Sequence, residues 1–192
     1  MKEDRRVRKT KKALREGLVA LLNEKSIRQI TVQELAGRVD IHRSTFYANF
    51  KDIYDLLSHV EDTMVEEISQ IVTADFAFDP AVFFSCLCNY VRDNRQAARL
   101  FFAGNTNIAF FERLTELFTA GCIACWQRSE AAGNVSQEME YYVQFCLSGA
   151  LGAIGRWVAQ DFAYPMDKLV RMLAEVDGMV GAVFNARGCA AQ

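Results

Sequence analysis

The sequence predicts an all-α protein in two parts, a three-helix N-terminal head and a larger helical body. Apolar residues recur at helical spacing through most of the chain. Its 192 residues include only two prolines, and no segment has the alternation and turn rhythm of strands. At 51% apolar, the chain can bury a sizeable core.

In the head, Leu14, Leu18, Leu21 and Leu22 fall at i, i+4, i+7 and i+8, which predicts an amphipathic helix from about Lys9 to Asn23. Thr31 precedes the next apolar run and Glu34 follows three residues later. That is a capping box, in which the Thr hydroxyl takes an orphan backbone N–H and the Glu reaches back. Val32, Leu35, Ala36 and Val39 then share one helix face. Asp40 tolerates a left-handed backbone and can make the turn. His42 or Arg43 opens a third helix, with Phe46 and Phe50 facing inward and Arg43, Ser44 and Tyr47 on other faces. Two short helices joined by a tight turn make a helix-turn-helix.

Charge separates the two parts. Residues 1–51 hold 13 Lys/Arg against 6 Asp/Glu, a net of +7; the rest hold 9 against 18, a net of −9. A basic end on an acidic body implies a polyanionic partner for that end alone. Lys2, Arg5, Arg6, Arg8, Lys9, Lys11 and Lys12 are dense enough to neutralise phosphates and release counterions.

The stretch 30–51, ITVQELAGRVDIHRSTFYANFK, resembles the DNA-binding signature of the TetR (tetracycline-repressor) family of transcription regulators. The likeness is carried by Thr31, Leu35-Ala36, Thr45-Phe46-Tyr47 and Phe50, with Asp40 where the family usually has Gly and Asn49 where a His is common. The resemblance implies that Thr31 donates to a phosphate and that Arg43, Ser44 and Thr45 meet base edges. The Arg43 fork would suit guanine O6 and N7. It also implies that Tyr47 and Lys51 hold the sugar–phosphate backbone and fix register. The expected partners are a palindromic double-stranded DNA operator, a second copy of the chain, and a small apolar or aromatic ligand that releases a repressor from DNA. Residues 1–51 would then be the DNA-binding domain with its basic arm, and 52–192 the helical ligand-sensing and dimerisation domain.

In the body, Asp52 opens a long helix to about Val72, with Leu56, Val60, Met64, Ile68 and Ile71 inward. Asp79-Pro80 starts a helix running to about Arg92. Further helices are expected near 96–103, 108–131, 135–161 and 165–185. Gly149, Gly152 and Ala153 form a small-residue face that allows close helix approach, and Leu169, Leu173, Val176 and Val180 form a near-heptad stripe. Together they suggest a dimer interface, although the same stripes could pack within one subunit. Phe83, Asn89, Phe102, Arg113, Trp126 and Gln144 represent an aromatic region with interspersed polar groups, where the resemblance implies a ligand pocket. A plain aromatic core is the competing reading.

Cys122-Ile-Ala-Cys125 is a CxxC pair one helical turn apart among apolar residues, which reads as core. A redox- or metal-responsive regulator sensing through this pair is the alternative; a helical carrier of apolar small molecules is the alternative from another class. No Walker, zincin or nucleophile-elbow motif is present, so neither enzyme nor cofactor is expected. Charges interrupt the apolar start, and no run reaches the roughly 18 residues of a membrane span, so a soluble cytoplasmic protein is expected.

Overall fold

A computed structural model describes residues 5–73, 79–102, 108–128 and 137–190; the side chains at 108, 122–128, 137–139, 180–181 and 183–190 are outside that description. The described residues form helices joined by turns and short connections, with no strand among them. Helices α1 (Arg5–Leu22), α2 (Val32–Arg38) and α3 (Arg43–Tyr47) form the head, with a 3₁₀ turn at Ile27–Gln29 between the first two. The long α4 (Ile53–Thr73) leads into α5 (Pro80–Asp93), α6 (Arg95–Phe102), α7 (Ile108–Arg128), α8 (Gln137–Ala159) and α9 (Met166–Ala190).

Local signals explain most of these boundaries. The Thr31 hydroxyl accepts from the Glu34 N–H at 3.2 Å and caps α2. The other half of the expected capping box does not form, because Glu34 instead accepts from Lys25 Nζ at 2.5 Å. Asp40 takes φ 53°, the left-handed turn expected between α2 and α3. Asp52 Oδ1 accepts from the Asp55 N–H and opens α4, and Asp79 Oδ1 accepts from the Ala81 N–H ahead of Pro80. α1 starts at Arg5, four residues before the apolar stripe predicts; RRVR contains no helix breaker and its long basic side chains favour helix.

Close helix approach is set by glycines. A Cβ on Gly17 of α1 would lie 2.5 Å from Val39 Cγ1 and 3.0 Å from Leu35 Cδ1, so this glycine lets α1 and α2 touch. A Cβ on Gly121 of α7 would lie 2.2 Å from Val72 Cγ1. That gap receives Val72, which is buried in place of the expected Ile71, only partly buried.

One apolar cluster runs from Leu14 and Leu18 through Phe46, Leu56 and Val60 of the head and upper α4 to Leu87, Phe110 and Ile154 below. α4 contributes to both ends, with Ile53, Leu56 and Val60 above and Met64, Ile68 and Val72 below. The helix is therefore a single rigid element shared by head and body. Glu61 is the one buried charged side chain among the described residues. Its carboxylate accepts no hydrogen bond from them, and the nearby Arg113 is paired with Asp62 at 2.8 Å. Burial pushes the Glu61 carboxyl above its ordinary range; Arg113 opposes that shift and Asp62 adds to it.

Candidate nucleic-acid interface and effector cavity

The head is held as a unit by its core and by ion pairs. Phe46 is fully buried, and its ring lies 6.0 Å from that of Phe50. Phe50 in turn packs 5.3 Å from the His59 ring, which joins α3 to α4. Arg38 makes two hydrogen bonds to Glu24, at 2.7 and 3.1 Å, and Lys25 pairs with Glu34. These contacts tie the end of α1 to α2. The Asn49 amide donates to the Thr45 carbonyl at 2.7 Å and closes the end of α3.

Burying Phe46 and Phe50 turns the remaining faces of α3 outward. Arg43 and Ser44 are exposed, Thr45 is half-buried, and Tyr47 is 53% exposed with its ring edge-on to Phe46. Arg43 makes no ion pair or side-chain hydrogen bond among the described residues. Thr31, at the start of α2, is exposed; its oxygen accepts the cap bond, which leaves its O–H free to donate outward. Lys51 is exposed, and its backbone N–H is anchored by Asp55 Oδ2 at 2.8 Å. Arg5, Arg8, Lys9 and Lys12 are exposed along α1. The expected contact residues thus all belong to the head or its junction with α4, and all but the half-buried Thr45 are exposed.

Below the head, α4, α5, α6, α7 and α8 enclose a cavity of about 30 Å³. Its wall is apolar and strongly aromatic, with Phe101 stacked 4.4 Å from Phe110 and Phe102 edge-on to Phe111 at 5.7 Å. The space would hold roughly two waters, far less than an organic ligand. Gly155 brings α8 against this wall, since a Cβ there would lie 2.9 Å from Phe102 Cδ1.

The structure separates the residues expected to form a pocket. Of the five whose side chains are described, only Phe102 lines the cavity. Phe83 packs edge-on to Phe84 and Phe118. Asn89 accepts from Arg92 at 2.7 Å, Arg113 is on the surface with Asp62, and Gln144 is exposed. The Trp126 side chain lies outside the described residues, as do those of Cys122 and Cys125. The polar members are absent from the wall because Asn89 and Arg113 are paired elsewhere and Gln144 faces solvent. Tyr90, Phe101 and Phe110, which belong to the same aromatic region of the sequence, line the cavity from α5, α6 and α7; Leu114 of α7 is the lining residue that the aromatic pattern does not mark.

The suggested dimer stripe also divides. Leu169 and Leu173 are 3% and 6% exposed and belong to the core of the subunit, where α9 packs against α5. They are therefore not available to a partner. Val176 is exposed, as are Met179, Tyr141 and Phe145. Added Cβ atoms at Gly149 and Gly152 would meet nothing, and Ala153 is partly buried against the core. The Val180 side chain is outside the described residues. The packed pair α8 and α9 thus leaves large apolar side chains in solvent.

The TetR_C_8 family, "Transcriptional regulator C-terminal region", matches residues 79–176, just over half of the chain. The chain belongs to the TetR family of transcriptional regulators. Members of this family are regulators and not enzymes. The fold agrees with solved TetR structures. A TetR regulator from Streptococcus agalactiae is 19% identical, with 91% of this chain and 96% of that one aligned at a TM-score of 0.64. A TetR-family regulator from Streptomyces coelicolor is 12% identical, covers 96% and 84%, and has a TM-score of 0.71. The regulator FadR from Bacillus subtilis, solved with stearoyl-CoA, is 16% identical, covers 85% and 95%, and has a TM-score of 0.64. No curated protein matches the sequence. Among the described residues, no helix is long and apolar enough to cross a membrane.

Proposed function

We propose that this TetR-family chain is a cytoplasmic, homodimeric repressor that binds an operator through residues 1–51 and is released by an apolar ligand taken up within 52–192. The observation that carries this is the outer face of α3. Arg43 is exposed there and has no ion pair or side-chain hydrogen bond among the described residues, next to Ser44 on a helix fixed by buried Phe46 and Phe50, with Tyr47, Thr31 and Lys51 also exposed in or next to the head. In this reading Arg43 reads a guanine, Ser44 and Thr45 contact neighbouring base edges, and Thr31, Tyr47 and Lys51 hold phosphates. The basic face of α1 adds the non-specific attraction.

One α3 makes a small interface, so the reading includes a twofold dimer on a palindromic operator, with half-sites about 34–36 Å apart or a multiple of that. The exposed Val176, Met179, Tyr141 and Phe145, with open space over Gly149 and Gly152, support α8 and α9 as the surfaces that meet.

Control works through α4. Its upper half packs on the head and its lower half lines the cavity with Met64 and Ile68. A ligand must part the closed apolar wall to enter, which moves α4 and changes the spacing of the two α3 helices. Such a ligand acts only to the extent that it binds the open form better than the closed one. The wall favours an alkyl or aromatic body. FadR proteins of this fold were solved with stearoyl-CoA and lauroyl-CoA, which makes acyl-CoA the first probe.

Fluorescence anisotropy with labelled duplex DNA tests the proposal. Affinity should fall steeply with salt, and deleting residues 1–8, which carry four Lys/Arg, should lower the log–log slope by roughly one to three. Lauroyl-CoA should weaken operator binding. A salt slope unaltered by the deletion would count against the basic arm, and an affinity indifferent to acyl-CoA would remove that ligand class.

A further inference from the structure

Tyr90 of α5 sits where the cavity wall meets a line of polar contacts that ends in the head. Its side chain lines the cavity. Its hydroxyl donates to Glu67 Oε2 of α4 at 2.9 Å. The other oxygen of the same carboxylate accepts from Arg15 Nη1 of α1 at 3.3 Å. Both contacts are part-buried and join residues 23 and 52 positions apart in the chain. Burial, and the hydrogen bond to Glu67, hold the Tyr90 hydroxyl well above its ordinary range, so it stays a donor.

We infer that Tyr90, Glu67 and Arg15 act as one unit that ties the wall of the cavity to the first helix of the head. The inference rests on the reading of the cavity as a ligand site. The cavity of about 30 Å³ cannot admit an organic molecule unless wall residues move. A shift of Tyr90 by roughly 1 Å takes its O–H beyond hydrogen-bond range of Glu67. Glu67 then loses the neutral donor that orients it, and Arg15 loses the oriented carboxylate that holds α1. The arrangement is therefore two-state, with the three side chains either linked or parted. The part-buried setting strengthens each contact relative to one in water and makes the pair cooperative. A second tie, from the Asn23 amide to the Gln96 carbonyl at 3.1 Å, does not pass through Glu67. With the shared apolar core, it keeps the head attached when the polar line is cut.

Amide hydrogen exchange on the full chain tests this without needing a ligand or an operator. Tyr90→Phe keeps the ring and removes only the hydroxyl. It should speed exchange in the middle of α1 about tenfold, the order expected for losing one hydrogen bond to a charged group. Arg15→Gln should do the same, and the double variant should be no faster than the faster single. If Tyr90→Phe speeds exchange only within α5, the hydroxyl has a local role and the inference is overturned. It is equally overturned if the two effects multiply in the double variant, since independent contacts would then be responsible. A wild-type chain that binds no DNA would sink the regulator proposal and leave this result to stand or fall alone.

Discussion

Replacing Glu61 by glutamine should make the protein more stable at neutral pH. Glu61 is 7% exposed, no described group donates to its carboxylate, and Arg113, the nearest compensating cation, is already paired with Asp62. Burial raises the folded-state pKa of the carboxyl above the ordinary carboxylate range. The folded chain thus holds the Glu61 proton more tightly than the unfolded chain does. The stabilisation this gives is complete below the unfolded pKa and is lost as pH rises through the folded pKa. At neutral pH the folded state carries a charge that burial partly desolvates, with no described group donating to it and its oxygens keeping some contact with solvent. Protein mutations put the cost of burying an unbonded polar group at about 1–3 kcal/mol; the residual solvent contact of the Glu61 oxygens and attraction to Arg113 both reduce it here, so we expect a gain of up to about 1 kcal/mol from Glu61→Gln. For a chain of this length that raises Tm by roughly 2–4 °C. Urea unfolding of both proteins at about pH 4 and about pH 8, at one protein concentration, reads the effect. The gain should be present at the higher pH and absent at the lower one. A variant less stable than wild type at about pH 8, or a gain equal at both pH values, would refute an uncompensated charge at this position.

Two further substitutions probe the head and the exposed helical face. Asp40→Gly should hold or raise stability by up to about 1 kcal/mol, because φ 53° costs an L-residue strain that glycine escapes, whereas Asp40→Val should lower it; equal unfolding midpoints for the two variants would contradict the turn assignment. Val176→Glu places a charge on the exposed face of α9 and should convert a dimer to a folded monomer in sedimentation analysis, whereas Leu173→Glu should unfold the subunit; an intact Val176→Glu dimer would exclude this face.

The helical elements were legible because their signals are local. Thr31, Asp40, Asp52 and Asp79-Pro80 each mark a boundary through a nearby backbone group, and the structure forms each one. What was not legible depends on partners distant in sequence. Glu34 satisfies the capping pattern, yet its carboxylate is taken by Lys25 across the 3₁₀ turn. Ile71 and Val72 both fall on the inner stripe of α4, and only the gap over Gly121 decides that Val72 fills it. Periodicity cannot tell a subunit core from an interface, so Leu169 and Leu173 read like Val176 although α5 already covers them. Where the polar candidates lie depends likewise on partners that periodicity does not show. Arg113 is bound to Asp62, 51 residues away, and Asn89 to Arg92 one turn along its own helix. Gly17 carried an unused signal, an isolated glycine in a leucine-striped helix, which marks close contact with a neighbour.

The central claim is that α3 reads DNA sequence through Arg43 as part of a twofold dimer. Selection of bound duplexes from a random pool, run in parallel with wild type and Arg43→Ala, tests it most directly. Wild type should enrich an inverted repeat with half-sites about one helical turn apart or a multiple of that. Arg43→Ala should enrich the same repeat with one guanine position per half-site relaxed, a loss of about 1–3 kcal/mol of discrimination there. A pool that stays random with wild type, or an identical motif from both proteins, would contradict the account.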